Sequence, residues 1–457
     1  MVQLTKTSRP EPTPKPAHAG RRWWKVPLLA LFALAFLSSG WFTYKVASAT
    51  SKIFADNTTG GSPVLQGKKL KDDQQGRITV LLIGIGGEGH DGPNLADTVQ
   101  VASIDPKSKQ VAMLSLPRDL SVSVPASVQS GAQKVKLNEI HAIGEDAGTD
   151  GGGPTLLKEK VSEVLGVPIQ YYIRADFAGF TQVVDSVGGI DVSVRDRLYD
   201  PFYPRGRGYE VLDIKPGPQH MNGELALKYA RSRETTSDFD RSRRQQETIV
   251  AVRDKALSLQ YLSNPGKTSQ LIGIIGDHIR TDLSPGESQR LGQIVKDIPG
   301  NAVQSRVLDS ESTGLLVDST GPGGAFILVP RTGPNDFSEV KAFASNYFNN
   351  TASFSEQAGI DLQNASGQAG AAKQEADSLA ALGYTVVGAA NAAAAAAETV
   401  IYDYSNGSKP STVRFLEQRF KGAKVIRQPK DSPTVDIRVV IGANYVAPTI
   451  QRGGGEE

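Results

Sequence analysis

Between Arg77 and Asp119 the apolar residues come in three short runs, RITVLLIGIG, DTVQVASID and QVAMLSLPRD, parted by Gly, Pro and Asp. Runs of this length, rich in β-branched residues and bounded by turn formers, predict strands. Asp105-Pro106 predicts the turn of a hairpin between the second and third. The period then lengthens. Leu156, Leu157, Val161, Val164 and Leu165 fall near 3.6 spacing, predicting a helix that Gly166 ends. IQYYIRADFAGFTQVVDSVGGIDVSV reads as strand, helix, Gly-Gly turn and strand. ELALKYARSR reads as a strand, leading into a long amphipathic helix from about Ser237 or Asp238. Alternating strands and helices predict the α/β class, with a three-layer α/β/α sheet domain over residues 77–350.

A second, smaller α/β unit is expected over residues 356–447. GIDLQNASGQAGAAKQEADSLAALGYTVVG reads strand, Gly-rich turn, helix, strand, and ETVIYDYSNGSKPSTVRFLEQRFKGAKVI repeats that order. The alanine tract between them, Asn391 to Ala397, is open to a helix or a flexible connection. Residues 448–457, which include QRGGGEE, read as a disordered tail.

The N-terminal region has a different texture. Val26 to Tyr44 carries no charge and approaches the roughly 20 residues that span a bilayer core. Trp23 and Trp24 flank one end, Trp41 and Tyr44 the other, as interfacial aromatics do. Residues 1–25 hold Lys6, Arg9, Lys15, Arg21, Arg22 and Lys25 against Glu11, which predicts a cytoplasmic tail and an outward-facing remainder. The reading is a transmembrane helix at 26–44, a linker at 45–76, and C-terminal domains outside the cell membrane. A cleaved signal peptide ending at Ala47-Ser48-Ala49 is the alternative.

Composition narrows the chemistry. A formal charge of +2 over 457 residues gives no drive toward nucleic acid, so any basic site is a local cluster. Absence of cysteine excludes disulfides, thiolate metal sites and a cysteine nucleophile.

Gly84, Gly86 and Gly89 spell G-x-G-x-x-G after a strand, with Asp105 further on. A dinucleotide fold would need a crossover helix after the third glycine. Here GHDGPNLADTVQV leaves a handful of residues, broken by Gly92 and Pro93, before the next strand. No Gly-Lys-Ser/Thr follows either. The loop then either serves only to turn the chain, or turns backbone N–H groups toward an anion beside His90, Asp91 and Asp97.

Arg231 and Arg233 stand two apart, and on a strand would share a face. Asp238, Arg241 and Gln245 lie on one stripe of the following helix. Converging guanidiniums repel one another unless a dense anion sits among them, and their forks suit phosphate oxygens. A solvated face neutralised by Glu234, Asp238, Asp240 and Glu247 fits the same spacing, which leaves both open. LPRDL adds Arg118, and KVKLN adds Lys134 and Lys136.

Taken together, ADTVQVASIDPKSKQVAMLSLPRD, KLN, VDSVGGIDV and YARSR…DFDRSRRQQ, in this order, resemble the LytR-CpsA-Psr (LCP) family. The stretch from Gly359 to Tyr445 resembles the LytR C-terminal domain. The resemblance implies a membrane-anchored, Mg²⁺-dependent phosphotransferase. Such an enzyme moves a glycopolymer from a polyprenyl-pyrophosphate carrier to peptidoglycan through a phosphodiester. Its partners would be the lipid-linked glycopolymer, peptidoglycan and membrane lipid, not nucleic acid.

By that resemblance Arg118, Lys136, Arg231, Arg233, Arg241 and Gln245 bind pyrophosphate. Asp238, Arg231 and Arg233 act in catalysis, and Asp97 holds Mg²⁺. Two departures stand out. Gly84-Ile85-Gly86 replaces the family's Gly-Ser-Asp, and Leu95-Ala96-Asp97 its Arg-Ser-Asp. Asp91 is the expected substitute for the missing carboxylate, and loop amides with His90 for the missing cation. Two other readings keep the same residues: a polyprenyl-pyrophosphate hydrolase, and a non-catalytic wall-binding or regulatory membrane protein.

Overall fold

The computed structural model describes residues 69–128, 133–205, 208–232, 238–256, 278–299, 302–310, 313–429 and 434–446. The expected cytoplasmic tail, transmembrane helix and C-terminal tail lie outside them, as does most of the linker. Among the described residues no helix is long and apolar enough to cross a membrane.

Strand alternation sorts the apolar residues onto two faces. In β1 (Ile78–Ile85), Leu81, Ile83 and Ile85 enter one core while Ile78 and Val80 enter another. β2 (Ala96–Asp105) divides Val99 and Val101 from Ala102 and Ile104. β3 (Gln110–Leu116) divides Leu114 and Leu116 from Val111 and Met113. Register puts Leu81, Val101 and Leu114 in one row across the three antiparallel strands. A sheet apolar on both faces must be covered on both.

A short pair, β4 (Ser121–Ser123) and β5 (Lys134–Lys136), leads to helices α1 (Leu137–Asp146) and α2 (Gly152–Leu165), which cover the first face. The two helices approach so closely that a Cβ on Gly153 would lie 2.1 Å from the His141 carbonyl oxygen. β6 (Tyr171–Asp176) runs parallel to β1 and turns into α3 (Phe177–Ser186), whose first turn is capped by the Asp176 carboxylate. Next come β7 (Ile190–Val194), the hairpin of β8 (Leu198–Arg205) and β9 (Gly208–Ile214), and β10 (Gly217–Met221), which pairs with β7. With α3, helices α4 (Gly223–Arg231) and α5 (Asp238–Ala256) cover the second face. β11 (Ile279–Thr281), α6 (Pro285–Lys296) and β12 (Val303–Val307) complete a six-stranded sheet of order β11-β6-β1-β2-β3-β12.

One expectation is overturned. Residues 223–231 form a helix, not a strand, so Arg231 ends α4, while Arg233 lies outside the described residues. The Asn222 side chain accepts the Leu225 N–H, a cap that starts the helix. Gly223, Ala226 and Tyr229 are buried at helical spacing. The Ala, Leu, Glu and Lys of this stretch all favour that state.

After the hairpin of β13 (Leu316–Thr320) and β14 (Phe326–Pro330) come α7 (Ser338–Asn349) and α8 (Thr351–Glu356), which lead into the second unit. It contains β15 (Gly359–Asn364), α9 (Ala371–Ala381), β16 (Thr385–Asn391), β17 (Val400–Asp403), α10 (Pro410–Arg419), β18 (Lys424–Arg427) and β19 (Ile437–Ile441). Its sheet order is β16-β15-β19-β17-β18. The alanine tract is neither helix nor loose connection. Ala396 N–H donates to the Ala365 carbonyl, and its own carbonyl accepts from Ala443.

An aromatic stack joins the two units. Phe343, Tyr347, Phe354, Tyr384 and Phe415 follow one another at centroid distances of 5.8, 5.1, 4.8 and 4.3 Å. The Tyr347 hydroxyl donates to the Met113 carbonyl of β3, so the stack reaches the first sheet. Apolar side chains of both sheets belong to one continuous core. Phe354→Ala should cost about 3–5 kcal/mol, and urea denaturation of the full chain should register this as a lower midpoint for both units together. Loss confined to the second unit's signal would show that the stack does not couple them.

Candidate functional site

At one edge of the large sheet β1, β3 and β6 end and β2 begins. The chain passes there from β1 to β2 through residues 86–95, a loop folded back on itself by a Gly87 N–H to Pro93 carbonyl bond of 3.0 Å. Gly87 has φ +78°, and a Cβ there would lie 2.8 Å from that of Asp176, so only glycine fits. His141 of α1 anchors the loop's far end, its Nδ1–H donating to the Asn94 carbonyl at 2.8 Å. His90 packs edge-on against Phe177 at 5.2 Å.

Two residues beyond Leu95, Asp97 meets Arg118, with Nη1 to Oδ1 at 2.5 Å. The buried Arg118 Nε makes no hydrogen bond and lies 3.6 Å from Asp119. Asp119 in turn accepts from Lys136 Nζ at 2.7 Å. A chain of alternating charge thus runs Asp97, Arg118, Asp119, Lys136. Oδ2 of Asp97 has no partner among the described residues.

A second bank faces the first. Arg231, at the end of α4, lays its guanidinium over the Phe177 ring at 4.2 Å, a cation–π contact. No carboxylate among the described residues pairs with it. The next residue, buried Ser232, donates through Oγ to Asp200 Oδ2 at 2.7 Å. Arg244 of α5 pins this helix end, donating to the carbonyls of Tyr229 at 2.9 Å and Ser232 at 2.6 Å. Burial pulls the Arg244 pKa below the usual arginine range and pushes that of Tyr203 above the usual tyrosine range.

Between the banks lies a cavity of about 360 Å³. Asp97, Thr98 and Arg118 line one side, Arg231, Arg241 and Gln245 the other. Phe177, Asp200, Phe202, Tyr203, Pro204, Tyr209 and Ser232 complete the wall. Of the residues singled out from sequence, Asp97, Arg118, Arg231, Arg241 and Gln245 share this cavity. Lys136 stands behind Asp119 and does not line it. Asp91 is exposed on the loop, where left-handed turns at Gly89 and Gly92 carry it, and it does not line the cavity either. Arg233 lies outside the described residues, and for Asp238 only the backbone, at the start of α5, is described.

Sequence reasoning missed Asp200, Ser232 and the aromatic wall. The signal available was DPFYP, a carboxylate and aromatics within one short stretch. Asp200 is 1% exposed, and both its oxygens are taken by neutral donors, Ser232 Oγ–H and the Phe202 N–H. Three guanidiniums therefore line one cavity with two carboxylates, Asp200 held by neutral donors and Asp97 by Arg118, and guanidinium forks suit the oxygens of an anion.

The sequence model of the LytR_cpsA_psr family matches residues 41–320. The chain belongs to this family. A second model, LytR_C, described as LytR cell envelope-related transcriptional attenuator, matches residues 357–445. The polyisoprenyl-teichoic acid–peptidoglycan teichoic acid transferase TagV of Bacillus subtilis is 28% identical over 312 residues, covering 66% of this chain and 74% of TagV. The similarly named TagU of Enterococcus faecalis is 29% identical over 245 residues, covering 53% of this chain and 72% of TagU. The crystal structure of B. subtilis TagV aligns at 27% identity with a TM-score of 0.45, over 60% of this chain and 98% of that one.

His141 supplies a test of how the family's loop is held in this chain. Burial pulls its pKa down to about 4, against smaller opposing effects of the Asn94 carbonyl and Glu145. The unfolded chain binds this proton near the ordinary imidazole value of about 6.5. Protonation between those values therefore favours unfolding, and stability falls as pH drops through that window but not above it. His141→Gln should remove about 2 kcal/mol of the stability difference between about pH 7 and pH 5, read from urea midpoints at each pH. A variant with the wild-type slope would show that this imidazole does not titrate with unfolding.

Proposed function

We propose that this chain is a membrane-anchored phosphotransferase that moves a glycopolymer from a polyprenyl-pyrophosphate carrier to peptidoglycan, outside the membrane. Its main support is the convergence of Arg118, Arg231 and Arg241, from three separate elements, on one cavity that also holds Asp97. The relatives' names point to the same reaction. For the anchor, the support is the uncharged run Val26 to Tyr44, with basic residues before it and aromatics at its ends.

Phosphoryl transfer asks for positioning and charge neutralisation more than for covalent chemistry. Arg118, Arg231 and Arg241, with Arg233 beside them in sequence, grip the two phosphates, and Gln245 donates from its amide. An acceptor sugar hydroxyl attacks the phosphorus that bears the glycan. A P–O bond forms to that hydroxyl oxygen, the anhydride P–O bond breaks, and polyprenyl phosphate leaves. The hydroxyl proton goes to a carboxylate, the role we assign to Asp238. Lys136 acts at one remove, holding Asp119 against Arg118.

Mg²⁺ needs few protein ligands when phosphates and waters supply the rest. Asp97, with one carboxylate oxygen unpartnered among the described residues, suits that thin donor set. No group of three or more His, Asp or Glu able to hold a metal ion occurs among the described residues. Asp97 would hold the ion, which when bound adds positive charge beside the phosphates. Asp91, exposed on the loop, does not line the cavity.

The deciding experiment incubates the full chain with a synthetic polyprenyl-pyrophosphoryl oligosaccharide and peptidoglycan, with and without Mg²⁺, and weighs the products. Glycan joined to peptidoglycan through phosphate supports transfer. Released phosphoglycan alone means a hydrolase, and unchanged donor means a binding protein. Arg118→Ala and Arg231→Ala should each lower transfer by ~10²-fold or more, the scale of losing one transition-state donor. Asp97→Asn should raise the Mg²⁺ concentration needed for half-maximal rate, and near-normal transfer by all three variants would remove these roles.

A further inference from the structure

The cavity has a wall that the phosphate chemistry does not use. Phe202 and Tyr209, on opposite strands of the β8–β9 hairpin, line it while remaining 57% and 72% exposed. Their rings meet edge to face at 6.0 Å. Frayed strands expose aromatics by accident, but this hairpin is anchored. Leu198, Asp200, Tyr203, Leu212 and Ile214 are all buried beneath it.

A bulge sets Phe202 outward, while Tyr209 faces out by the plain alternation of β9. Asp200 pairs with Leu212, yet Tyr203 pairs with Glu210, so β8 carries one extra residue between these pairs. Such a bulge re-aims the side chains on its strand. Here Tyr203 turns in and Phe202 turns out, and the Phe202 N–H is fixed by Asp200 Oδ1 at 3.1 Å. The other oxygen of the same carboxylate accepts from Ser232, the residue after Arg231. One buried acid therefore ties the aromatic rim to the cationic bank.

We propose that Phe202 and Tyr209 form a stacking platform for the sugar joined directly to the donor's phosphate, an inference that rests on the phosphotransferase reading above. A group bonded to a phosphate gripped by Arg118 and Arg231 must lie along the wall of that same cavity. A pyranose ring presents C–H bonds on its faces, which suit the negative face of an aromatic ring, and hydroxyls at its edge, which stay in water. Rings more than half exposed match that two-sided partner. A hydrocarbon chain would need an enclosed apolar groove instead.

The test uses the full chain and two probes, bare polyprenyl pyrophosphate and polyprenyl-pyrophosphoryl disaccharide. Wild type should bind the glycosylated probe ~10-fold more tightly, a difference of about 1.4 kcal/mol. The double variant Phe202→Ala/Tyr209→Ala should lose that difference and keep its affinity for the bare carrier, which also shows that the cavity is intact. Tyr209→Phe should retain the difference. In transfer assays the double variant should raise KM about 10-fold with kcat nearly unchanged, as expected for lost ground-state binding. Equal weakening toward both probes would make the rim a lipid contact and overturn the proposal, as would no change toward either. Failure of wild type to bind the bare carrier would overturn the phosphotransferase reading as well.

Discussion

A guanidinium in a half-buried cavity needs electron density nearby, yet one that stays open to an anion cannot be locked to a full counter-charge. The site turns on that conflict. Arg118 is split between Asp97 and Asp119, the second of which is shared with Lys136. Arg231 leans on Phe177, whose π face attracts a cation without neutralising it. Both arrangements keep the fork in place and leave N–H groups that can make charge-assisted bonds to an anion. The sheet makes this feasible. Its two faces are consumed by packing, and only the edge where strands end is free to gather polar groups from several elements.

The strands and the helices with strong periodicity were legible because each was decided locally. β1 to β3, the Gly166 stop and the start of α5 follow from alternation, turn residues and spacing. Other elements depended on contacts far along the chain. α1 buries Asn138 and His141 among its apolar residues, so its hydrophobic period is broken where the polar groups serve the loop and the strand ends. The short apolar stretch before Arg231 declares itself a helix only once the Asn222 cap and the close approach of Gly223 to the Thr181 carbonyl are known. The alanine tract has no pattern of its own and takes its path from hydrogen bonds to Ala365, Ala443 and Asn444.

For the site, sequence supplied the residue types and the family motifs supplied their grouping. Arg118, Arg231, Arg241, Gln245 and Asp97 could be named because charge stands out along a chain. Asp200, Ser232 and Phe177 could not. Their function depends on pairings across a hairpin and between helix ends, and an isolated Asp, Ser or Phe carries no mark of them. Asp91, a carboxylate in the loop between β1 and β2, is exposed and does not line the cavity.

The glycine-rich loop can now be understood without a nucleotide. Gly87 is required because its backbone presses against Asp176, the residue that caps α3, and the loop's far end hangs on His141. Gly87 therefore serves close packing at the ends of β1 and β6. The consequence reaches the chemistry, because Phe177 follows Asp176 directly and carries Arg231 on its ring while His90 of the loop holds that ring's edge. The turn thus braces the aromatic seat of a cation. Holding a charged group in place before its partner arrives is the physical basis of electrostatic preorganisation.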